Sequence, residues 1–175
     1  TYKIDANWAL YCENYLEGFH ISYVHQGLSS DIENHSYKTI ALNYSVLQIA
    51  KSQNKDDSIQ GKKLIYDIPL NDVYALYFWL FPNIMLNFYN WGISVNIIEP
   101  LSKEKTRIRF ISLPLKGHKQ SSGNSNSVDQ IELEDQKVVL DVQKGIKSKF
   151  YDRGRYSAEH EIGTHHFHRL ISKYL

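Results

Sequence analysis

This chain of 175 residues has few of the features that mark a class at first sight. It has one cysteine, Cys12, which excludes an internal disulfide framework, a cysteine-ligated iron–sulfur cluster and a Cys-rich zinc site within these residues. The same scarcity suits a reducing compartment. There is no excess of either charge: 20 basic against 19 acidic side chains leave a formal +1, so there is no electrostatic footprint for nucleic acid or an anionic membrane. There is no long hydrophobic run either. The most apolar stretch, Val73 to Met85, is interrupted by Pro82 and Asn83 and is too short to cross a bilayer. No charged-then-apolar signal pattern opens the chain. The expectation is a soluble, cytoplasmic globular domain. Its start at Thr1-Tyr2-Lys3, without methionine, reads as an excised part of a longer chain or a processed one.

What the chain has in quantity is aromatic: 13 Tyr, 7 Phe and 3 Trp. That favours a core or cavity with flat, partly polar walls, and it also suits antiparallel sheets. At this length roughly 70% of the unfolded surface can be buried, enough for one domain with a proper core. Residues 7–24 are expected to be a helix, with Trp8, Tyr11, Cys12, Tyr15 and Phe19 at three- and four-residue intervals and Asp5 or Asn7 as cap. Gly27 is its natural terminator. Strand-like alternation follows over 36–50, then a polar loop from Lys51 to Gly61 and a short strand at Leu64-Ile65-Tyr66. Strands are expected at 77–81, 85–91, 93–98 and 106–115, separated by Pro82-Asn83, Gly92 and Glu99-Pro100. His118 to Asn126 reads as a loop. A long helix is expected from Val128 to Lys149, with Ser127 and Gln130 in capping-box relation, and a last helix from His160 to Tyr174. Helix, sheet, then two helices is an α+β domain, with no repeat and no linker to divide it.

The segment from Asn7 to His25 carries the chemistry. It sets His20 and His25 five residues apart, with Glu17 three residues before the first. Imidazole is the commonest side-chain ligand for transition metals, and a ligating histidine usually donates its other ring proton to a carboxylate. Two histidines and one carboxylate make the facial triad of non-heme Fe(II) sites. On a regular helix an i,i+5 pair points roughly 140° apart, so the two share a metal only if the helix is distorted or ends between them. Ser22, Ile21 and Val24 permit such a break. The alternative is two unrelated helix histidines.

The carboxylate comes from the long helix. With Asp135 at 0°, Ile131, Val138, Val139, Val142 and Ile146 all fall within about 60° of it, so Asp135 lies in the apolar stripe. Glu134 and Asp141 fall about 100° and 120° away, towards solvent. An ionised carboxylate facing a core is costly unless paired or metal-bound. A cation explains Asp135, and so does a buried Arg or Tyr partner. His165, His166 and His168 are expected to pack beside the first helix or bond its carboxylates, since adjacent helix residues point about 100° apart. Glu159, His160 and Glu161 read as a solvated helix start. His35 and His118 lie in polar surroundings.

With these residues in place, the whole chain resembles the catalytic domain of the α subunits of Rieske non-heme iron oxygenases, the aromatic-ring-hydroxylating dioxygenase family. Asn7-Trp8, Glu13-Asn14, Glu17, His20 and His25 match its signature. Phe81-Pro82-Asn83 matches a strand motif. Glu134-Asp135, Val142-Gln143-Lys144-Gly145 and Glu161-x-Gly163-x-His165-His166-Phe167-His168 match its C-terminal end.

The resemblance implies a helix-grip fold of the Bet v 1/START kind, a curved antiparallel sheet around a long C-terminal helix. It implies mononuclear Fe(II) held by His20, His25 and Asp135, with Asn14 close to the iron and Glu17 linking the site to the Rieske cluster of a neighbouring subunit. Residues 1–175 would be the mononuclear-iron catalytic domain. The expected partners are O2, a small organic or aromatic substrate, a Rieske domain with its [2Fe-2S] cluster, a ferredoxin or reductase, and two further copies in a homotrimer.

Two departures stand out. Ala9 replaces the family's Lys, and the Rieske ligands are absent, so an N-terminal Rieske domain is expected outside these residues. Glu17, where many dioxygenases carry Asp, resembles choline- and carnitine-type monooxygenases. Quaternary ammonium groups bind in aromatic cages; Trp79, Phe81, Phe88, Tyr89 and Trp91 are the candidates, or they fill the core. The rivals are a non-catalytic helix-grip ligand-binding protein with structural histidines, and a zinc hydrolase using the same triad.

Overall fold

The structure, a computed structural model, describes residues 1–25, 32, 37–61, 63–116 and 122–175, with side chains from 130 onward in the last span. The expectations for Gly27, His35 and His118 lie outside the described residues, whereas Ser127, the expected cap, stands inside a helix that already begins at Ser122. A short strand β1 (Tyr2–Ile4) leads to helices α1 (Trp8–Tyr15) and α2 (Ile21–Val24). Strands β2 (Lys38–Ala41) and β3 (Ser45–Lys51) form a hairpin, and β4 (Leu64–Ile65) and β5 (Ile68–Pro69) form a smaller one. The main strands follow: β6 (Val73–Leu80), β7 (Ile84–Tyr89), β8 (Gly92–Ser102) and β9 (Lys105–Pro114). Helices α3 (Ser122–Gly145) and α4 (Ile162–Ile171) close the chain.

Seven strands make one antiparallel sheet in the order β1-β9-β8-β7-β6-β3-β2. Because side chains alternate along a strand, the register gives each face its own set. Val46 opposite Trp79 faces the main core with Met85, Ile98 and Ile108, whereas Leu47 opposite Phe78 joins a second cluster with Ile49 and Val73. On the main face lie α1 and α4, through Leu10, Tyr11, Cys12, Leu16, Phe167 and Leu170. Helix α3 lies against α1 and contributes Val139 to that core. This is the α+β, helix-grip arrangement that was expected.

Several local expectations change. The helix expected over 7–24 is two helices. Asn7 Oδ1 caps the first by accepting from Ala9 N at 2.9 Å, and the second begins where Glu17 accepts from the Phe19 and His20 amides at 2.5 and 3.0 Å. Gly18 in the break lies against Tyr37, whose ring carbon would stand 2.7 Å from a Cβ there. The long helix starts at Ser122 rather than Val128, since extending a nucleated helix costs far less than starting one. It ends at Gly145 rather than Lys149.

Its buried face is also rotated. Val142 and Ile146 are exposed, whereas Val139 and Gln143 are buried, and Gln143 Oε1 accepts from Asn7 N at 2.8 Å. Glu99-Pro100 does not end a strand: β8 runs through it to Ser102, with a bulge beyond Pro100 absorbing the register change. The last helix is shorter than expected, because Glu161 stands at its N-cap and its carboxylate accepts from Ser157 N at 2.6 Å.

Candidate metal centre and cavity

The helix break brings the two histidines together. His20 precedes α2 and His25 follows it, with φ −103° and ψ 74° turning the chain out of the helix. Their ring centroids are 5.1 Å apart at 78°. Asp135 on α3 meets both: its Oδ1 is 3.0 Å from His25 Nε2 and 3.6 Å from His20 Nε2. One ligand atom from each of the three lies within 4.8 Å of the others.

Behind each ring stands a carboxylate. His20 Nδ1–H donates to Glu17 Oε1, and His25 Nδ1–H donates to Glu134 Oε2 at 2.8 Å. With the Nδ1 positions committed, both Nε2 atoms are left facing Asp135. A neutral imidazole carries one N–H, yet His25 has a carboxylate oxygen at each nitrogen. The pocket between the Nε2 atoms and Asp135 therefore demands positive charge, a proton or a cation. Although burial opposes it, Asp135 and Glu134 push the His25 pKa upward, the same attraction a bound metal ion meets. Asn14 Nδ2 donates to Asp135 Oδ1 at 2.6 Å and holds that oxygen in place. Two nitrogens and one carboxylate on fixed elements, each backed by a hydrogen-bond partner, fit a divalent transition metal.

A cavity of about 360 Å³ adjoins this centre, in the range of small-molecule sites. Asn14, Glu17, His20, His25 and Asp135 all line it. Its walls come from α1 (Tyr11, Tyr15), the sheet (Tyr77, Asn87, Tyr89, Ser94, Asn96, Phe110) and α3 (Ile131, Glu132). Burial raises the pKa of Tyr11, Tyr15, Tyr77 and Tyr89, which keeps their hydroxyls protonated as donors. Tyr15 donates to Asn87 Oδ1 at 2.7 Å, and Asn87 Nδ2 donates to Ser94 Oγ at 2.9 Å.

Of the five aromatic residues suggested for a cage, Tyr89 and Trp91 line the cavity and stack on each other, centroids 5.0 Å apart. Trp79 is fully buried edge-on to Phe167, Phe81 stacks on Tyr174, and Phe88 packs against Phe78. Phe88 alternates with Asn87 and Tyr89 and so turns to the opposite side of the sheet; Trp79 shares the face of Tyr77 but lies two residues further along β6 in the main core, and Phe81 stands beyond the end of that strand. In the closing run, His168 Nε2 bonds Glu13 Oε1 on α1 at 2.8 Å and its Nδ1 meets Tyr156. Burial lowers the His166 pKa, and His165 packs against Tyr156. His160 stacks on Phe19. None of these four lines the cavity.

Three features of the site are not legible in the sequence. Glu134, placed toward solvent, is the partner of His25. Glu132, about 60° from Asp135 on the helical wheel and at the edge of the stripe, faces the cavity. Asn87, Ser94 and Asn96 form a polar wall; their signal was a polar residue at inward positions of strands that otherwise bury Met85 and Ile98.

Comparison with known proteins gives the family and the fold. The family described as ring hydroxylating alpha subunit (catalytic domain) matches residues 1–175. The chain is 31% identical over 175 residues to the chloroplastic choline monooxygenase of Arabidopsis thaliana, covering 97% of this chain and 40% of that protein. It is 26% identical over 185 residues to the carnitine monooxygenase oxygenase subunit of Escherichia coli K12, covering 99% and 48%. The chain thus spans less than half the length of these relatives. A crystal structure of the quaternary ammonium Rieske monooxygenase CntA with an inhibitor superposes with a TM-score of 0.78 at 20% identity, over 99% of this chain and 47% of that one. At that identity the match speaks for the fold.

Proposed function

Because the chain belongs to the ring hydroxylating alpha subunit family, as a catalytic domain, we propose that it hydroxylates a small organic substrate at one Fe(II) held by His20, His25 and Asp135. The observation that carries this reading is the meeting of both Nε2 atoms and the Asp135 carboxylate at the cavity, with each Nδ1 committed to an acid. Bound iron would supply O2 activation, using electrons from a Rieske cluster.

The chain's own residues do the rest. Glu17 and Glu134 hold the imidazoles in the tautomer that presents Nε2 forward. Asn14 fixes the Asp135 carboxylate through a 2.6 Å hydrogen bond. The aromatic walls exclude water, and the Tyr15–Asn87–Ser94 chain orients the polar end of a substrate. Glu17 also accepts from the amide of Phe19, whose ring packs against Tyr23, and these two rings are 50% and 74% exposed. That position supports a role in coupling the centre to an electron donor docked on this face.

We take residues 1–175 as the catalytic unit of a longer oxygenase whose Rieske domain lies outside them. A ferredoxin or reductase and a homotrimer complete the assembly. The substrate class we favour is a small amine such as choline, on the names of the relatives and the acidic, aromatic lining. The single buried Cys12 suits a reducing compartment, the cytoplasm in our reading. Among the described residues no helix is long and apolar enough to cross a membrane.

Anaerobic reconstitution followed by metal analysis tests the centre. We expect about one iron per chain, lost in His20→Ala. Metal content indifferent to His20→Ala would leave the non-catalytic binder. Zinc held in preference to iron, without O2-dependent turnover, would leave the hydrolase.

A further inference from the structure

The cavity has a second pole besides the metal centre. Glu132 and Asp135 both line it, and they stand one turn apart on α3. Side chains at i and i+3 share a helix face, with Cβ atoms about 5–6 Å apart. The hydroxyls of Tyr2 and Tyr11 both reach Glu132 Oε2, at 2.7 and 2.6 Å, and lie 2.7 Å from each other. That clamp anchors one oxygen. Glu132 Oε1 makes no hydrogen bond among the described residues.

The clamp is also short of a proton. Three short contacts join three oxygen atoms, but two tyrosines bring only two protons. Burial, reinforced by Asp135, moves the Glu132 carboxyl up to about 7 while the tyrosine bonds resist. A carboxyl held there takes up the missing proton itself unless a cation stands beside it. None of the described lining residues is a Lys or Arg, whereas Glu17, Asp57 and Asp135 are acids. The counter-charge is left to a ligand. A further observation points to a ligand with a polar end: Asn96, 3% exposed and lining the same cavity, has a buried Oδ1 with no partner.

We infer that Glu132, held by Tyr2 and Tyr11, receives the positively charged end of the substrate and places its oxidisable carbon one helical turn away, at the metal centre. The inference rests on the amine reading above and deepens it. It makes Glu132 the residue that separates a cationic substrate from a neutral molecule of the same shape. The short span between the two poles favours compact amines.

The test uses the protein at its full natural length, loaded anaerobically with Fe(II) and kept without an electron donor, so that binding is read without turnover. Calorimetry compares choline with 3,3-dimethylbutan-1-ol, its neutral carbon isostere, in wild type and in Glu132→Gln. A charge-assisted contact predicts that choline weakens about tenfold or more in the variant. The isostere should shift by less than about twofold, and iron content should stay at the wild-type level. Equal weakening of both ligands, the signature of a merely structural carboxylate, overturns the inference, and so does an unchanged choline affinity. Wild type that binds the isostere as well as choline overturns it too. Wild type that carries iron but binds neither ligand overturns the amine reading itself, and the inference with it. If Glu132→Gln does not fold, Glu132→Asp decides. Retained preference for choline supports the assignment, and lost preference sinks it.

Discussion

Each imidazole at the centre has an acid behind it, and the two acids come from different places. Glu17 is local to His20, three residues before it, whereas Glu134 reaches His25 from α3. Outer partners of this kind fix the tautomer and raise the basicity of the ligating nitrogen. Glu134→Gln keeps the shape but removes the negative charge, so we expect iron affinity to fall about 10–100-fold, read by competition with a chelator. Glu17 and Asp135 are legible in the sequence, and the role of Glu134 is not. On the wheel Glu134 points about 100° from Asp135, which says solvent unless something else stands there. The something else is His25, delivered by a chain turn that no helical periodicity encodes.

At the scale of elements, the centre depends on where helices stop. Helix α1 ends at Tyr15, and its last turn is pinned by α4. A Cβ on Gly163 would stand 2.3 Å from the carbonyl oxygen of Leu16, and Leu16 itself is fully buried. Alanine in a helix is ordinarily about 1 kcal/mol better than glycine. Here the clash is with backbone that cannot rotate away, which costs up to about 3 kcal/mol. We expect Gly163→Ala to be destabilised by about 2 kcal/mol, seen as a lower Tm in a thermal melt. The helices and the main strands were legible from their periods. The break at residues 16–20 was not, because Trp8, Tyr15 and Phe19 keep a helical spacing across it. What interrupts the helix is the Glu17 carboxylate on two backbone amides, together with the Tyr37 ring against Gly18.

At the scale of the whole molecule, the sheet and α3 enclose a chamber, with the proposed metal centre at one pole and Glu132 at the other. The electrons for the proposed hydroxylation have no source within these residues, since one cysteine cannot supply the ligands of a Rieske cluster. Iron-loaded chain of residues 1–175 is therefore expected to consume no O2 in sustained turnover, and to do so once a Rieske donor and reductase are supplied. Oxygen uptake with and without the donor checks this. Sustained uptake by the isolated chain would contradict it.

The order and spacing of residues were enough to mark His20, His25 and Asp135 as candidates, to set the α+β class and to indicate the family, because those signals are local periods and short motifs. The order of strands, the edge strand β1 and the polar wall of Asn87, Ser94 and Asn96 needed the folded chain. So did the pairing of Glu134 with His25 and the clamp of Tyr2 and Tyr11 on Glu132. Those contacts join residues 72 to 130 positions apart or depend on which sheet face turns inward. A local period fixes how a segment folds, but what its side chains meet is decided by how distant segments pack.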